Sequence, residues 1–414
     1  MDNKEGAGAL QAARRDLRMN KIEIRPMKPE DWNAVSRIYL EGIATEYATF
    51  QTDCPPYAAW DASHAKDCRL VLMAVLAVPA FAAGYGEPDI TVQTTMRQLR
   101  NNPSVKGSGF YTYSTEWSES DHRYEDTTLL DYVGTGSAQD AADAMNLLIE
   151  NYNSGVQITW QVYSEEEITA DSQLGMVQLY YFPAKTAGAK YAIVVPGNGG
   201  PATAELNEGA AVAAQLHEEG YAAFVLRYRS FMDATDNAPV KDIANAVKYV
   251  QEHAQQFQVS TDHYALVGFS SGGQIIGLLG SDSDRFGWRA FGIPQPAALL
   301  LGYPINDFAE VKPVYQVLID PMGIGWRYYW TNISDVINEN YTPTFFWYGD
   351  NDEYMRRMVF CLQGPKLEKA LADSGVPYQC LHVKNGPHAS GTAWGTDAEG
   401  WVKQAVAFWE EQSR

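Results

Sequence analysis

The sequence predicts an α/β fold in which helices cover both faces of a mostly parallel, eight-stranded sheet, with an N-terminal extension in front of it. Eight apolar segments between residues 157 and 414 have the length of strands, and helical patterns separate most of the later ones. Some of these segments, such as 298–301 (ALLL), are apolar at every position. Such continuity is typical of strands that are buried on both faces of a sheet.

The order of the predicted elements alternates between strand and helix. The strands cover residues 157–164, 175–182, 190–196, 221–228, 263–269, 297–303, 343–348 and 378–384. Helices are predicted at 205–219, 238–256 and 397–411, where apolar residues recur at helical spacing. Ligands bind such sheets at the carboxyl ends of the strands, so we expect a functional site there.

Segment 263–280 (HYALVGFSSGGQIIGLLG) carries the strongest chemical signal in the chain. Its apolar strand stops at Gly268-Phe269-Ser270-Ser271-Gly272, and an apolar helical pattern follows. A serine in the middle of G-x-S-x-G lies on a sharp strand-to-helix turn that projects its hydroxyl from the sheet edge, and the glycines remove side chains that would collide there. Ser270 is therefore the candidate nucleophile.

A nucleophilic serine needs a base, which follows it in the chain in sheets of this type. Of the seven histidines, His382 and His388 are the two that come after Ser270. His382 lies inside the predicted strand 378–384, whereas His388 lies in the following loop, 385–391, from which its ring can reach over the strand ends. We predict His388 as the base, with His382 as the alternative.

The acid is expected after the predicted strand 343–348, where the sequence is Gly349-Asp350-Asn351-Asp352-Glu353. A carboxylate a few residues beyond the strand end can reach under the imidazole, hold its tautomer and stabilise the imidazolium. We predict Asp352 for this role and expect Asp350 to cap the turn. Asp350 and Glu353 stay open as alternatives.

Hydrogen-bond donors for an oxyanion are offered by 191–200 (YAIVVPGNGG), a strand that runs into a glycine-rich loop. The loop lacks the Lys-Ser/Thr of a P-loop, and no acidic ribose-binding residue follows it in a dinucleotide pattern. We predict that the backbone N–H of Asn198 or Gly199 forms an oxyanion hole with that of Ser271. A plain glycine-rich turn is the alternative.

These motifs together carry a family resemblance. They are PGNGG at 196–200, Glu208-Gly209, GYAAFVLRYR at 220–229 and GFSSGG at 268–273. In this combination, residues 157–414 resemble the α/β-hydrolase esterases related to acetyl-xylan and other carbohydrate esterases. The resemblance implies an oxyanion hole at Asn198 and Gly199, although Asn198 departs from the glycine of that family. It also implies an acid at Asp352, in the pattern G-x-x-D.

The implied reaction is hydrolysis of a carboxylic ester through an acyl-enzyme, with small-molecule or carbohydrate esters as substrates and no metal or organic cofactor. A serine peptidase of the same fold is one alternative, because only pocket shape separates the two activities. An inactive fusion product is the other. The net charge of −20 disfavours nucleic acid and anionic membranes as partners. The oligomeric state has no signal in the sequence.

The four cysteines show neither C-x-x-C nor Cys/His metal spacing, so we expect no zinc site. Cys361 and Cys380 could form a disulfide if the protein is exported. Sequence alone does not show whether the two residues approach within disulfide range.

The N-terminal part of the chain has a different character. Within 1–71, residues 22–71 resemble the first strand and helices of a GNAT N-acetyltransferase, but the acetyl-CoA loop of that family, R/Q-x-x-G-x-G/A, does not follow. We interpret 1–71 as a truncated fragment of that family.

Residues 72–84 form a short apolar stretch that resembles the end of a secretory signal peptide, with a buried strand or helix as the alternative. The stretch is too short to span a bilayer. We expect the hydrolase to be extracytoplasmic if this segment is used, and cytoplasmic if the chain is made as written.

Two further segments are rich in aromatic side chains. Residues 85–156 predict a helical, aromatic-rich extension that packs on 157–414, with an amphipathic helix at 138–152. Its aromatic side chains favour packing over a sugar-binding platform. The aromatic segment 302–341 follows the sixth strand and is a candidate wall for the pocket.

Overall fold

A computed structural model describes residues 19–26, 28, 35, 60, 70–76, 89–113, 124–134, 136–198, 203–230, 233–307, 331–357 and 363–414. The chain divides into two units, Met1–Ala83 and Gly84–Arg414. In the first unit, strand β1 (Met19–Pro26) pairs antiparallel with strand β2 (Leu70–Leu76).

The apolar stretch predicted at 72–84 is therefore a strand as far as residue 76, and its remainder lies outside the described residues. Most of 22–71 also lies outside them. The resemblances to an acetyltransferase fragment and to a signal peptide stay predictions.

An eight-stranded sheet forms the centre of the second unit. Its strands are β3 (Thr159–Gln161), β4 (Gln178–Phe182), β5 (Tyr191–Val195), β6 (Ala222–Arg227), β7 (Ala265–Phe269), β8 (Ala298–Gly302), β9 (Thr344–Gly349) and β10 (Tyr378–Val383). Their spatial order is β10-β9-β8-β7-β5-β6-β4-β3. β4 runs antiparallel to both of its neighbours, and the other pairs are parallel.

Helices flank this sheet in the second unit. The α-helices are α1 (Met96–Asn101), α2 (Pro103–Ser108), α3 (Leu129–Val133), α4 (Ala138–Asn153), α5 (Glu165–Ala170), α6 (Ala211–Glu218), α7 (Ala238–Glu252), α8 (Ala254–Phe257), α9 (Ser270–Leu279), α10 (Glu353–Arg357), α11 (Gln363–Ser374) and α12 (Trp401–Gln412). A π-helix, Glu205–Ala210, leads into α6, and 3₁₀ turns cover Ser172–Met176, Thr235–Asn237 and Ile333–Asp335.

The strand side chains alternate between two hydrophobic cores, one on each face of the sheet. In β5, Ala192 and Val194 join the core that contains buried residues of α4, α6 and α12. Tyr191, Ile193 and Val195 join the core that contains those of α7, α9 and α11. Successive side chains of a strand point to opposite faces, so a strand covered on both sides must be apolar throughout. The predicted α/β-hydrolase fold class is confirmed.

The extension that precedes the sheet shares one of these cores. Phe110 packs against Tyr180 of β4 with ring centroids 4.7 Å apart, and Met145 of α4 is fully buried in the same core. The turn before α4 also contacts the loop after β10, because the Ser137 hydroxyl donates to the Ser390 carbonyl at 2.9 Å. The extension is therefore packed against the sheet and its loops.

Candidate active site

Ser270 lies at the junction between β7 and α9, as the G-x-S-x-G pattern predicts. Its φ is +50°, in the left-handed region that is strained for a residue with a side chain, as the sharp turn requires. A Cβ at Gly272 would stand 2.3 Å from the Val195 carbonyl oxygen and 2.5 Å from that of Pro196. The glycine therefore lets the start of α9 approach the end of β5, which brings Ser270 close to the glycine-rich loop.

His388 reaches Ser270 from the loop after β10. Its Nε2 lies 2.9 Å from the Ser270 Oγ, and its Nδ1 lies 2.7 Å from Oδ2 of Asp352. The imidazole also contacts two aromatic rings, with centroid distances of 4.7 Å to Tyr303 and 4.8 Å to Tyr354. Ring contacts and the carboxylate together define the orientation of the imidazole.

Asp352 is held by the start of the helix that follows it. Its Oδ1 accepts the backbone N–H of Met355 at 2.9 Å, which caps α10 and leaves Oδ2 for His388. The side chains of Asp352 and His388 are 8% and 9% exposed, so the contact between them is shielded from water. We expected Asp350 to cap this turn, but Asp352 has that role as well as the contact with the histidine.

The alternative acid and the alternative base bond to each other. Nε2 of His382 lies 2.6 Å from Oδ1 of Asp350, and the two side chains are 49% and 60% exposed. The His382 ring also stacks on Tyr348. Glu353 is exposed in the first turn of α10. The structure therefore brings Asp352 and His388 to Ser270, and pairs Asp350 with His382 at the surface.

The predicted oxyanion donors are only partly described. Ser271 lies in the first turn of α9, where backbone N–H groups lack partners within the helix. The Asn198 backbone N–H donates to the Ser271 Oγ at 2.9 Å, and its side-chain Nδ2 donates to the Tyr228 hydroxyl at 3.2 Å. Gly199 lies outside the described residues. The assignment of the donors stays a prediction.

Two buried polar residues next to the site were not singled out by the sequence analysis as site residues. Glu208 accepts the Gly197 N–H at 2.7 Å through Oε2 and the Tyr303 hydroxyl at 2.8 Å through Oε1. The Tyr303 hydroxyl in turn accepts the Gly391 N–H at 2.9 Å. Burial raises the pKa of both groups. The available signal for Glu208 was its place in the Glu208-Gly209 pair of the family resemblance.

A cavity of about 260 Å³ lies beside Asp352. Its lining includes Asp352, Tyr303, Gln363 and the Asp350–His382 pair, but neither Ser270 nor His388. We therefore do not assign it as the substrate pocket.

Among the described residues, no group of three or more His, Cys, Asp or Glu side chains has the arrangement of a metal site. No helix in the described part of the chain has the length and apolar character needed to cross a membrane. Cys380 is a half-buried free thiol. Cys361, its possible disulfide partner, lies outside the described residues, as do residues 308–330 of the candidate wall at 302–341.

Comparison with known proteins found a family and two relatives that match parts of this chain. The family model described as BD-FAE matches residues 178–290, from β4 through α9. Endo-1,4-beta-xylanase B of Butyrivibrio fibrisolvens is 23% identical over 220 residues, which is 50% of this chain and 34% of that protein. Acetylxylan esterase of Xylanibacter ruminicola is 24% identical over 154 residues, which is 37% of this chain and 30% of that protein. The chain thus spans about a third of the length of these relatives.

Among solved structures, the acetyl ester-xyloside bifunctional hydrolase of Caldicellulosiruptor lactoaceticus is similar, with a TM-score of 0.48 and 22% identity. The similarity covers 61% of this chain and 95% of that one.

Proposed function

We propose that this protein is a serine hydrolase that cleaves carboxylic esters, with Ser270 as nucleophile, His388 as general base and Asp352 as the acid that orients the histidine. The observation that carries the proposal is the chain of contacts from the Ser270 Oγ to His388 Nε2 at 2.9 Å and from His388 Nδ1 to Asp352 Oδ2 at 2.7 Å. Both distances are suitable for proton transfer and for holding one tautomer of the imidazole.

In the proposed reaction, Nδ1–H of His388 donates to the Asp352 carboxylate, so Nε2 is free to accept the proton of the Ser270 hydroxyl. The serine oxygen attacks the ester carbonyl, and the imidazolium then donates its proton to the departing alcohol. Water, deprotonated by His388, then attacks the acyl carbonyl. The bond to the Ser270 oxygen breaks, the imidazolium returns its proton to that oxygen, and the carboxylic acid product is released.

The developing oxyanion is assigned to backbone donors. The Ser271 N–H, in the first turn of α9, supplies one, and the loop at Asn198 and Gly199 supplies the other. Asn198 already donates to the Ser271 Oγ, which favours Gly199 as the second donor.

The substrate class we propose is a short acyl ester, such as an acetyl group on a carbohydrate. Support comes from the BD-FAE match and from a relative named acetylxylan esterase, whose similarity is limited to part of both chains. If the segment at 72–84 acts as a signal peptide, the enzyme would act outside the cytoplasm, where polymeric carbohydrates are found.

Purified protein tests this proposal with three substrates: p-nitrophenyl acetate, acetylated xylo-oligosaccharides and a peptide p-nitroanilide. We expect hydrolysis of both esters, no cleavage of the anilide, and loss of both esterase activities in Ser270→Ala. Preferential cleavage of the anilide would identify a peptidase instead. Absence of all three activities in a folded sample would refute the proposal.

A further inference from the structure

We propose that Glu208 and Tyr303 form a positioning bridge that holds the loop of His388 against the start of the glycine-rich loop, so that the base and the oxyanion donors keep a fixed geometry around Ser270. The inference rests on the proposed function. It adds two positioning residues, which act on the reaction by holding the loop of His388 and the glycine-rich loop in place. Neither side chain is required to touch substrate.

The bridge consists of three hydrogen bonds between buried groups. One end is Gly197, next to Asn198, whose N–H donates to Glu208 at 2.7 Å. The Tyr303 hydroxyl donates to the same carboxyl at 2.8 Å and accepts the Gly391 N–H at 2.9 Å. Because Gly391 is three residues after His388, the bridge joins the two loops that flank the nucleophile.

Close approaches at both ends show how tightly these loops are packed. A Cβ at Gly197 would stand 2.9 Å from Oε2 of Glu208 and 2.9 Å from Cβ of Ser270. A Cβ at Gly391 would stand 2.3 Å from the Asn207 carbonyl oxygen. A shift of Glu208 would therefore disturb the backbone beside both Ser270 and the histidine loop.

Burying the Glu208 carboxyl and straining the backbone near His388 both cost free energy, which indicates that the arrangement has a function. A buried carboxyl is expensive unless its polar partners compensate, and Glu208 is only 2% exposed. The backbone is also strained around the histidine, with φ of +37° at Tyr303 and +57° at Ala389. Tyr303 packs its ring against the His388 imidazole at the same time, so one residue supports the base through both its ring and its hydroxyl.

Tyr303→Phe is the central variant, because it removes the hydroxyl and keeps the ring beside His388. Small displacements of reacting groups can cost about 10²-fold in rate, so we expect kcat on p-nitrophenyl acetate to fall about 10- to 100-fold. KM should change less than about twofold, because binding groups are unaffected. Hydrogen exchange at the Gly391 amide should become faster in the same variant.

Glu208→Gln is the conservative variant. Its carbonyl can accept from Gly197 while its NH₂ donates to the Tyr303 oxygen, so both links remain, with the second one reversed and the Tyr303 O–H left without its acceptor. We expect it to retain more activity than Glu208→Leu, which should lose as much as Tyr303→Phe. The matched control is Tyr264→Phe, which removes another buried hydroxyl, one that donates to the Pro294 carbonyl at 2.7 Å. Thermal unfolding of all variants identifies losses that arise from instability.

The inference is overturned if Tyr303→Phe retains the kcat of Tyr264→Phe, or if Glu208→Leu equals wild type. A wild-type protein without esterase activity, or a Ser270→Ala variant that keeps it, would instead overturn the proposed function and the inference with it. The two failures are therefore distinguishable.

Discussion

Asp350 and His382 bond to each other at 2.6 Å on the surface. Asp350 lies two residues before Asp352, and His382 lies six residues before His388, whose imidazole joins Asp352 to Ser270. An aspartate after β9 and a histidine at the end of β10 form the exposed pair, Asp350 and His382. An aspartate and a histidine slightly farther along the chain form the buried pair. The buried pair, Asp352 and His388, has the shielded geometry that orienting an imidazole requires.

Asparagine variants of the two aspartates test whether the buried one, and not the exposed one, orients the catalytic imidazole. Asp352→Asn should lower kcat by about 10⁴-fold, because an amide at that position favours the wrong imidazole tautomer. Asp350→Asn should lower it less than about threefold, since exposed ion pairs contribute little. Steady-state kinetics on p-nitrophenyl acetate measures both. Equal losses in the two variants would contradict the assignment of the acid.

The close approach at Gly272 makes the nucleophile turn sensitive to a single methyl group. Gly272→Ala would place a Cβ 2.3 Å from a backbone carbonyl oxygen, so we expect it to lose esterase activity and to unfold at a lower temperature. The control is Gly175→Ala, whose Cβ would meet its nearest side-chain atom at an ordinary 3.5 Å. Wild-type activity in Gly272→Ala would show that α9 can move away from β5 without consequence.

The extension before the sheet should contribute directly to stability. Met145 is fully buried in the core shared with α6 and α12, so Met145→Ala should lower the free energy of unfolding by about 2–5 kcal/mol. Gln139→Ala, on the exposed side of the same helix, should have little effect. Urea unfolding measures both. A Met145→Ala variant as stable as wild type would indicate that the extension does not share the core.

Glu205 predicts a pH dependence of stability. Burial raises its pKa to about 8 from 4.5, and its Oε2 has no hydrogen-bond partner among the described residues. A carboxyl with a raised pKa keeps its proton in the folded chain after the unfolded chain has released it. Its stabilising effect is complete below pH 4.5 and is lost as the pH rises towards about 8.

Glu205→Gln removes this titration. We therefore expect the difference in unfolding midpoint between Glu205→Gln and wild type to grow in favour of the variant from pH 5 to about pH 8. Glu252→Gln, at an exposed position, serves as the control. A difference for Glu205→Gln that stays constant across this range would contradict the raised pKa.

The sheet could be predicted because every strand has a strong local signal. Each strand of the eight-stranded sheet overlaps a predicted segment, and β9 extends one residue beyond its segment. The observed β3 and β4 are shorter than predicted by up to three residues at one end. Apolar runs such as 298–302 require burial on both faces, which a sheet between two layers of helices provides. The position of Ser270 followed from a motif whose turn geometry fixes the residue types. The two N-terminal strands, by contrast, pair across more than forty residues, and no pattern in the sequence indicates that pairing.

The support around the site could not be predicted in the same way. Glu208 and Tyr303 are 95 positions apart, and only the folded sheet brings them into contact. The pairing of Asp350 with His382 is likewise a consequence of the register between β9 and β10. For this reason the sequence analysis kept Asp350 as an alternative to Asp352 for the acid, and His382 as an alternative to His388 for the base.

Covalent labelling by a fluorophosphonate tests the central claim most directly. We expect one phosphonyl group per chain, located on Ser270 by mass spectrometry, with esterase activity lost in proportion to labelling and no labelling of Ser270→Ala. A folded preparation that stays unlabelled, or that is labelled at another residue while Ser270→Ala keeps its activity, would contradict it.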